Sequence, residues 1–346
     1  MFDRSHKQPS DRRVGPCARL LLVAAAALAA AGIALGCQAT DPSPAGFSVR
    51  SNAIVAPNGR RFIVKGAVFP YGTLAGGDAG GAGAANLRQA PATFRRLTAL
   101  GFNLVRVFTE VQPPSSPRRD VLQRIVREAR SSGLVVEIST AGADPAASVP
   151  WLRYLARTYR SDPYVWVQPA NEPGCTGGPP PAGCLDWSAW QRGQSQLIAA
   201  IRSEGMRSPI VLNTPNYSSD LSKVDQYPLH DRNLVYGAHA YANNLTAVGA
   251  PERALYTGLW AGLAGRHAVI VDEVGNFNGP SYPNSSGWAS EFMAFMRDWV
   301  RQGSGSGAIG FTWHWVDPNT MTGDDGALTA WGHTFVDTFI RQVPAS

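Results

Sequence analysis

Eight short apolar runs, separated by segments of mostly helical pattern, constrain the fold of this chain more than any other feature. They fall at 62–68, 103–108, 134–138, 165–171, 209–213, 234–241, 268–273 and 308–313. The runs do not alternate apolar with polar, which is the mark of strands covered on both faces. Between them, Val121, Leu122, Ile125 and Val126 recur at helical spacing within 117–132, as do Leu197, Ile198 and Ile201 within 186–204. Further helices are expected over 91–100, 150–160, 251–263, 288–301 and 328–341. Strand and helix in alternation imply a parallel sheet covered by helices, and eight strands close an α/β (β/α)₈ TIM barrel. A doubly wound open sheet is the alternative, but no glycine-rich phosphate loop follows the first strong strand. The chain is 346 residues long, 44% hydrophobic and 16% charged, enough to bury one large core. A short strand and turn over 48–57, with Asn58-Gly59, precedes the first long run. The Gly/Ala-rich stretch 74–85 reads as a loop over one end of the fold.

The N-terminus reads as an export signal. Basic residues through Arg19 precede an apolar, alanine-rich run over 20–35, then Ala34-Leu35-Gly36-Cys37 and a polar, proline-rich 38–44. Those four residues resemble a bacterial lipobox, which makes Cys37 the lipidation site of a cell-surface lipoprotein. Plain secretion and an uncleaved anchor are the alternatives, and Arg12-Arg13 lies in poor surroundings for a twin-arginine signal. The expected organisation is a signal at 1–37, a linker at 38–47 and one barrel domain at 48–346. Cys17 falls within the signal. Cys175 and Cys184 flank a short Gly/Pro loop, and in an exported protein they are expected to form a disulfide. Five basic against two acidic residues in 1–36 leave only +3 of the net +6 to the remainder. Without a Lys/Arg cluster interleaved with aromatics, that is too weak a charge for a nucleic-acid partner.

Polar residues stand where the strands run out: Arg106, Asn171 with Glu172, His239 with Tyr241, Glu273, and Trp313. In a barrel of this kind those ends converge on one rim. Alone, each has an ordinary reading: a glutamate before a proline is a turn residue, an arginine in a strand an ion-pair partner, a tryptophan packing. Together, two glutamates on the fourth and seventh strands are the minimum equipment for glycoside hydrolysis, one protonated to donate and one ionised to attack. A free glutamate titrates near about 4.3, so the acid must be raised by burial or a neighbouring carboxylate. The nucleophile needs the reverse, and Arg106 and the Tyr241 hydroxyl are placed to supply it.

With this ordered set, roughly from 47 to 340, the chain resembles the family 5 glycoside hydrolases. The resemblance rests on Asn171-Glu172-Pro173, His239-Ala240-Tyr241, Asp272-Glu273, Arg106 within 103–108 and Trp313 within 311–317. It implies Glu172 as acid/base and Glu273 as nucleophile, with Asn171 on the sugar 2-hydroxyl and Arg106 steadying the nucleophile. It places His239 and Tyr241 between the two carboxylates and Trp313 under the attacked sugar. The family often has a histidine at the end of its third strand, but Glu137-Ile138-Ser139-Thr140 has none, which leaves mannan-directed and more remote branches open.

The expected protein is thus an exported, monomeric, retaining endo-β-glycosidase acting on a β-linked oligo- or polysaccharide, either β-glucan or β-mannan. It needs no cofactor and no metal, and meets the membrane only through the lipid anchor. A transglycosylase using the same site, or a lipoprotein that binds glycans without turnover, are the rival readings. Trp187, Trp190, Tyr282 and Trp331 are candidate sugar platforms or else packing.

Overall fold

Successive side chains on a strand point to opposite faces, so each strand of a closed barrel fills the interior with one set and meets the helices with the other. The computed structural model describes residues 46–70, 82–141, 144–173, 186–241, 253–275, 285–310, 321–323 and 326–344. A two-stranded antiparallel hairpin, β1 (Ser48–Arg50) and β2 (Ala53–Val55), comes first. Eight strands then form a closed barrel: β3 (Val64–Pro70), β4 (Leu104–Glu110), β5 (Val135–Ala141), β6 (Val165–Asn171), β7 (Ile210–Leu212), β8 (Leu234–Tyr241), β9 (Val269–Gly275) and β10 (Gly307–Gly310). Neighbours pair in parallel all the way round, and β10 closes on β3. The helices are α1 (Ala82–Leu100), α2 (Arg118–Ser131), α3 (Pro145–Tyr159), α4 (Trp187–Ser203), α5 (Arg253–Leu259), α6 (Ser285–Arg301) and α7 (Ala330–Phe335), which runs on into a π-type turn over Val336–Ile340. Among the described residues no helix is long and apolar enough to cross a membrane.

Two cores follow from this alternation. Outward residues such as Val105, Val107, Val136, Ile138, Val167 and Val271 pack under the helices. Inward residues Leu104, Val135, Trp166, Val211, Val235 and Ile270 fill the barrel and join Phe47, Ile54 and Phe62 from the hairpin and its exit. Phe47 meets Phe62, Tyr164 and Trp166 edge-on at 4.9–5.2 Å, so the hairpin stops the N-terminal end of the barrel with an apolar plug. Two residues further along five of these six strands the interior turns polar, the exception being Val235, which is followed by Gly237. Leu104 is followed by Arg106, Val135 by Glu137, Trp166 by Gln168, Val211 by Asn213 and Ile270 by Asp272, all fully buried. Because the strands are parallel, this sequence rule collects these five polar side chains toward the C-terminal end of the barrel.

Several boundaries differ from the sequence reading. The helix expected from Pro91 begins at Ala82, so 82–85 are helical rather than loop, and Pro91 lies inside α1. Ala, Leu, Arg and Gln in 82–90 favour helix enough to carry a proline whose ring removes one backbone bond. Likewise α3 begins at Pro145, not at 150: Asp144 caps it by accepting from the Ala146 N–H at 2.9 Å, and Pro145 occupies the first turn. The expected 251–263 helix is split into α5 and a 3₁₀ turn, Ala261–Gly265.

Candidate active site

Both carboxylate-bearing strands carry an extra residue just before the rim. Between β5 and β6, Ser139 pairs Gln168 but Ala141 pairs Asn171, so three steps on β6 match two on β5. Pro169 sits inside this bulge, where a residue without an N–H costs the ladder least. Between β8 and β9, Ala238 pairs Val271 while His239 pairs Glu273. Strict alternation would send 168 and 171 to opposite faces, and likewise 272 and 273. The bulges bring Gln168 and Asn171 to the same cation, and bury Asp272 and Glu273 side by side. Glu172 follows directly with φ of 45°, a left-handed conformation uncommon outside glycine, and its backbone N–H donates to Asn213 Oδ1 at 3.3 Å. Strain of this kind collects where a side chain is being aimed.

Arg106 is the hub. Its Nε donates to Glu137 Oε1 at 3.1 Å, and its Nη2 donates to Gln168 Oε1 and Asn171 Oδ1 at 2.6 Å each and to Ser139 Oγ at 3.0 Å. Its Nη1 donates to Glu273 Oε1. Asn171 commits its oxygen to Arg106, leaving its amide hydrogens as what it can offer a ligand. The other Glu273 oxygen accepts from the Tyr241 hydroxyl at 2.7 Å. His239 Nδ1 lies 2.7 Å from Glu172 Oε1 and 3.4 Å from Glu273 Oε2. One oxygen of each glutamate and a ring nitrogen of His239 all fall within 4.8 Å of one another. Glu172 keeps 28% of its side chain exposed and Glu273 only 6%, so one can exchange protons with solvent while the other is shielded.

Charge inside the barrel is held by opposite charge. Burial works against the Arg106 guanidinium, but Glu273, Asp272 and Glu137 outweigh it and raise its pKa. Burial also disfavours a charged His239, yet the Glu273 and Asp272 carboxylates push the imidazole up to about 10. Burial alone would raise Asp272; His239 and Arg106 bring it below the usual carboxylate range. Glu137 is different: burial dominates even beside Arg106, and its carboxyl is pushed up to about 8. Burial and the neighbouring Glu273 charge hold the Tyr241 phenol well above its ordinary value. At neutral pH two buried cations, Arg106 and His239, therefore face the buried Asp272 carboxylate.

Six of the residues singled out from sequence thus meet at one rim: Arg106, Asn171, Glu172, His239, Tyr241 and Glu273. Trp313, the Cys175–Cys184 pair, Cys37 and Tyr282 lie outside the described residues. Trp190 and Trp331 are packing, 1% and 2% exposed. Trp190 backs the site, since its Nε1 donates to the Asn213 carbonyl at 2.8 Å. Glu137, Gln168, Asn213 and Asp272 were not among the sequence candidates; the only mark they leave is a single polar residue within or just after an apolar run.

The chain matches the family model described as Cellulase (glycosyl hydrolase family 5) over residues 73–313. It is similar to Endoglucanase C of Evansella cellulosilytica, 27% identical over 138 residues. That match covers 38% of this chain and only 15% of the relative's length. Among solved structures, a β-glucanase of Saccharophagus degradans in complex with cellotetraose superposes with a TM-score of 0.68 at 20% identity, over 86% of this chain and 93% of that one. The catalytic domain of the major endoglucanase from Xanthomonas campestris pv. campestris gives 0.65 at 18% identity, over 84% and 99%. At these identities the likeness is one of fold.

Proposed function

The chain belongs to glycosyl hydrolase family 5, and on that premise we propose that it cleaves internal β-linkages of a glucan with retention of anomeric configuration. One observation carries the mechanism: an oxygen of Glu172 and an oxygen of Glu273 lie within 4.8 Å. Retaining enzymes hold their carboxyl groups about 5–5.5 Å apart, whereas inversion needs room for a water between them, at about 6.5–9.5 Å. In the first step a Glu273 oxygen bonds to the anomeric carbon as the bond to the departing sugar breaks, and the Glu172 proton passes to the leaving oxygen. In the second, Glu172 takes a proton from water as the water oxygen bonds to the same carbon and Glu273 is released. Arg106 and Tyr241 hold Glu273 ionised and aimed, and Asn171 meets the 2-hydroxyl. From the sequence reading, Trp313 is assigned the face of the attacked sugar, where an aromatic ring suits the C–H side of a pyranose.

Glucan is favoured over mannan by the cellulase family and by the glucan-degrading names of the similar proteins. Product release from soluble β-glucans and mannans, followed by reducing-end assay, tests the substrate, and the anomer first formed tests retention. Glu273→Gln is expected to lower turnover by at least about 10³-fold without unfolding the chain; wild-type turnover in that variant would remove the nucleophile from the scheme. Oligosaccharides longer than the substrate would favour the transglycosylase reading. The proposal extends to export, to a lipid on Cys37 and to a Cys175–Cys184 disulfide. Fatty-acid labelling lost in Cys37→Ser, and a mass difference of two hydrogens on reduction, test these separately.

A further inference from the structure

Asp272 is the most heavily provided-for side chain in the barrel that the scheme above does not use. A carboxylate in a protein interior is unfavourable unless several groups are arranged around it, and four separate features are. The β9 bulge turns it inward beside Glu273. Gly237 makes room for it, since a Cβ there would lie 2.4 Å from the Asp272 carboxyl carbon. Gln168 Nε2 and Asn213 Nδ2 donate to its Oδ2 at 2.6 and 2.9 Å. Its Oδ1 faces His239 Nε2 at 3.6 Å, an ion contact longer than a hydrogen bond. Among the described residues neither of those two atoms has a hydrogen-bond partner, so each is what the other faces. The opposite edge of the same imidazole is the one directed at Glu172 and Glu273.

We propose that Asp272 is a positioning residue that keeps His239 doubly protonated and oriented, so that one fixed Nδ1–H serves both Glu172 and Glu273 through the reaction. The proposal rests on the retaining mechanism above and deepens it. In forming the glycosyl-enzyme, Glu273 loses its negative charge to a covalent bond, and Glu172 gains one by giving up its proton. The charge has moved across a gap of less than 4.8 Å. A donor 2.7 Å from one oxygen and 3.4 Å from the other stabilises it at either end without moving, which is electrostatic preorganisation rather than proton transfer. Without Asp272, a buried imidazole gives up its charge more readily and can present a lone pair to the carboxylates instead of a hydrogen. The other charged and titratable groups facing His239 are Glu172 from the end of β6 and Glu273 from β9. Behind them stand Arg106 on β4, Glu137 on β5 and Tyr241 on β8. Asp272 is the one anion of this set directed at Nε2.

The test uses the full-length chain and its Asp272→Asn variant on a soluble β-glucan. The expected result is kcat lowered about 10- to 100-fold with KM within about twofold. The alkaline limb of kcat/KM should move to lower pH, because His239 now loses its proton inside the working range. A wholly structural Asp272 predicts a lower active fraction with an unchanged pH profile, and that outcome overturns the proposal. Should the variant fail to fold, the unsubstituted protein decides the matter. Nitrogen-15 NMR of the imidazole, assigned by loss of its signals in His239→Gln, should show both ring nitrogens protonated at pH 8. An imidazole that titrates near its ordinary value refutes Asp272 as its keeper. Absence of glucan hydrolysis by the unsubstituted chain would instead refute the functional reading, and the NMR titration would still report on Asp272.

Discussion

Glu273 is gripped from two sides, by Arg106 at one oxygen and by Tyr241 at the other. The two contacts differ in kind. The arginine serves five side chains at once, so its removal disturbs the whole interior, whereas the tyrosine hydroxyl is a neutral donor to Glu273 at 2.7 Å. Tyr241→Phe therefore isolates the value of a neutral donor to the proposed nucleophile, Glu273. A hydrogen bond to a charged group contributes about 1.5–3 kcal/mol, so kcat/KM should fall by about 10- to 100-fold with a small change in melting temperature. Unchanged kinetics would mean that Arg106 alone sets the nucleophile. The residues that touch this event were legible in the sequence because each closes its own strand. Those behind them were not. Glu137 and Gln168 interrupt apolar runs by one residue only, and Asp272 was hidden by alternation, which assigns it to the face opposite Glu273.

At the scale of elements, the site depends on strands that break their own period. Eight apolar runs were enough to count the barrel strands, because parallel strands buried on both faces need no alternation to be seen. Helix starts were harder: Pro91 and Pro150 each read as a first-turn marker, yet both lie inside helices that better caps or longer runs of helix formers begin earlier. The bulges in β6 and β9 left no mark beyond Pro169, since an extra residue in one strand is a relation between two strands. The β9 bulge makes a testable demand on its neighbour. Gly237→Ala should destabilise the protein by about 1–3 kcal/mol, the cost of overpacking, because the new methyl meets the Asp272 carboxylate. In an Asp272→Gly background the same substitution should cost far less. Denaturant midpoints for the four proteins give the coupling; additive costs would place the clash elsewhere.

Across the whole molecule the buried charges tie stability to pH, and the sign follows from each group's shift. His239 is raised from 6.5 to about 10. Its contribution is complete below the unfolded value and drains away as pH rises from about 6.5 through 10. Glu137 is raised from 4.5 to about 8, so it keeps a proton that the unfolded chain has already lost. Stability falls over that window too, because unfolding releases the proton. Asp272 is lowered, so its contribution is present above 3.8 and is lost as pH falls through its folded value. The three together predict a protein most stable in mildly acidic solution and steadily weaker toward pH 10. Thermal melting at intervals between pH 4 and 10 measures this directly. Glu137→Gln should flatten the decline between about 4.5 and 8, and His239→Asn the decline between about 6.5 and 10, so the variants divide the curve between them. A melting temperature level from pH 5 to 9 in the unsubstituted chain would mean that the barrel interior does not hold its protons in this arrangement, and the charges assigned to His239, Glu137 and Asp272 would have to be redrawn.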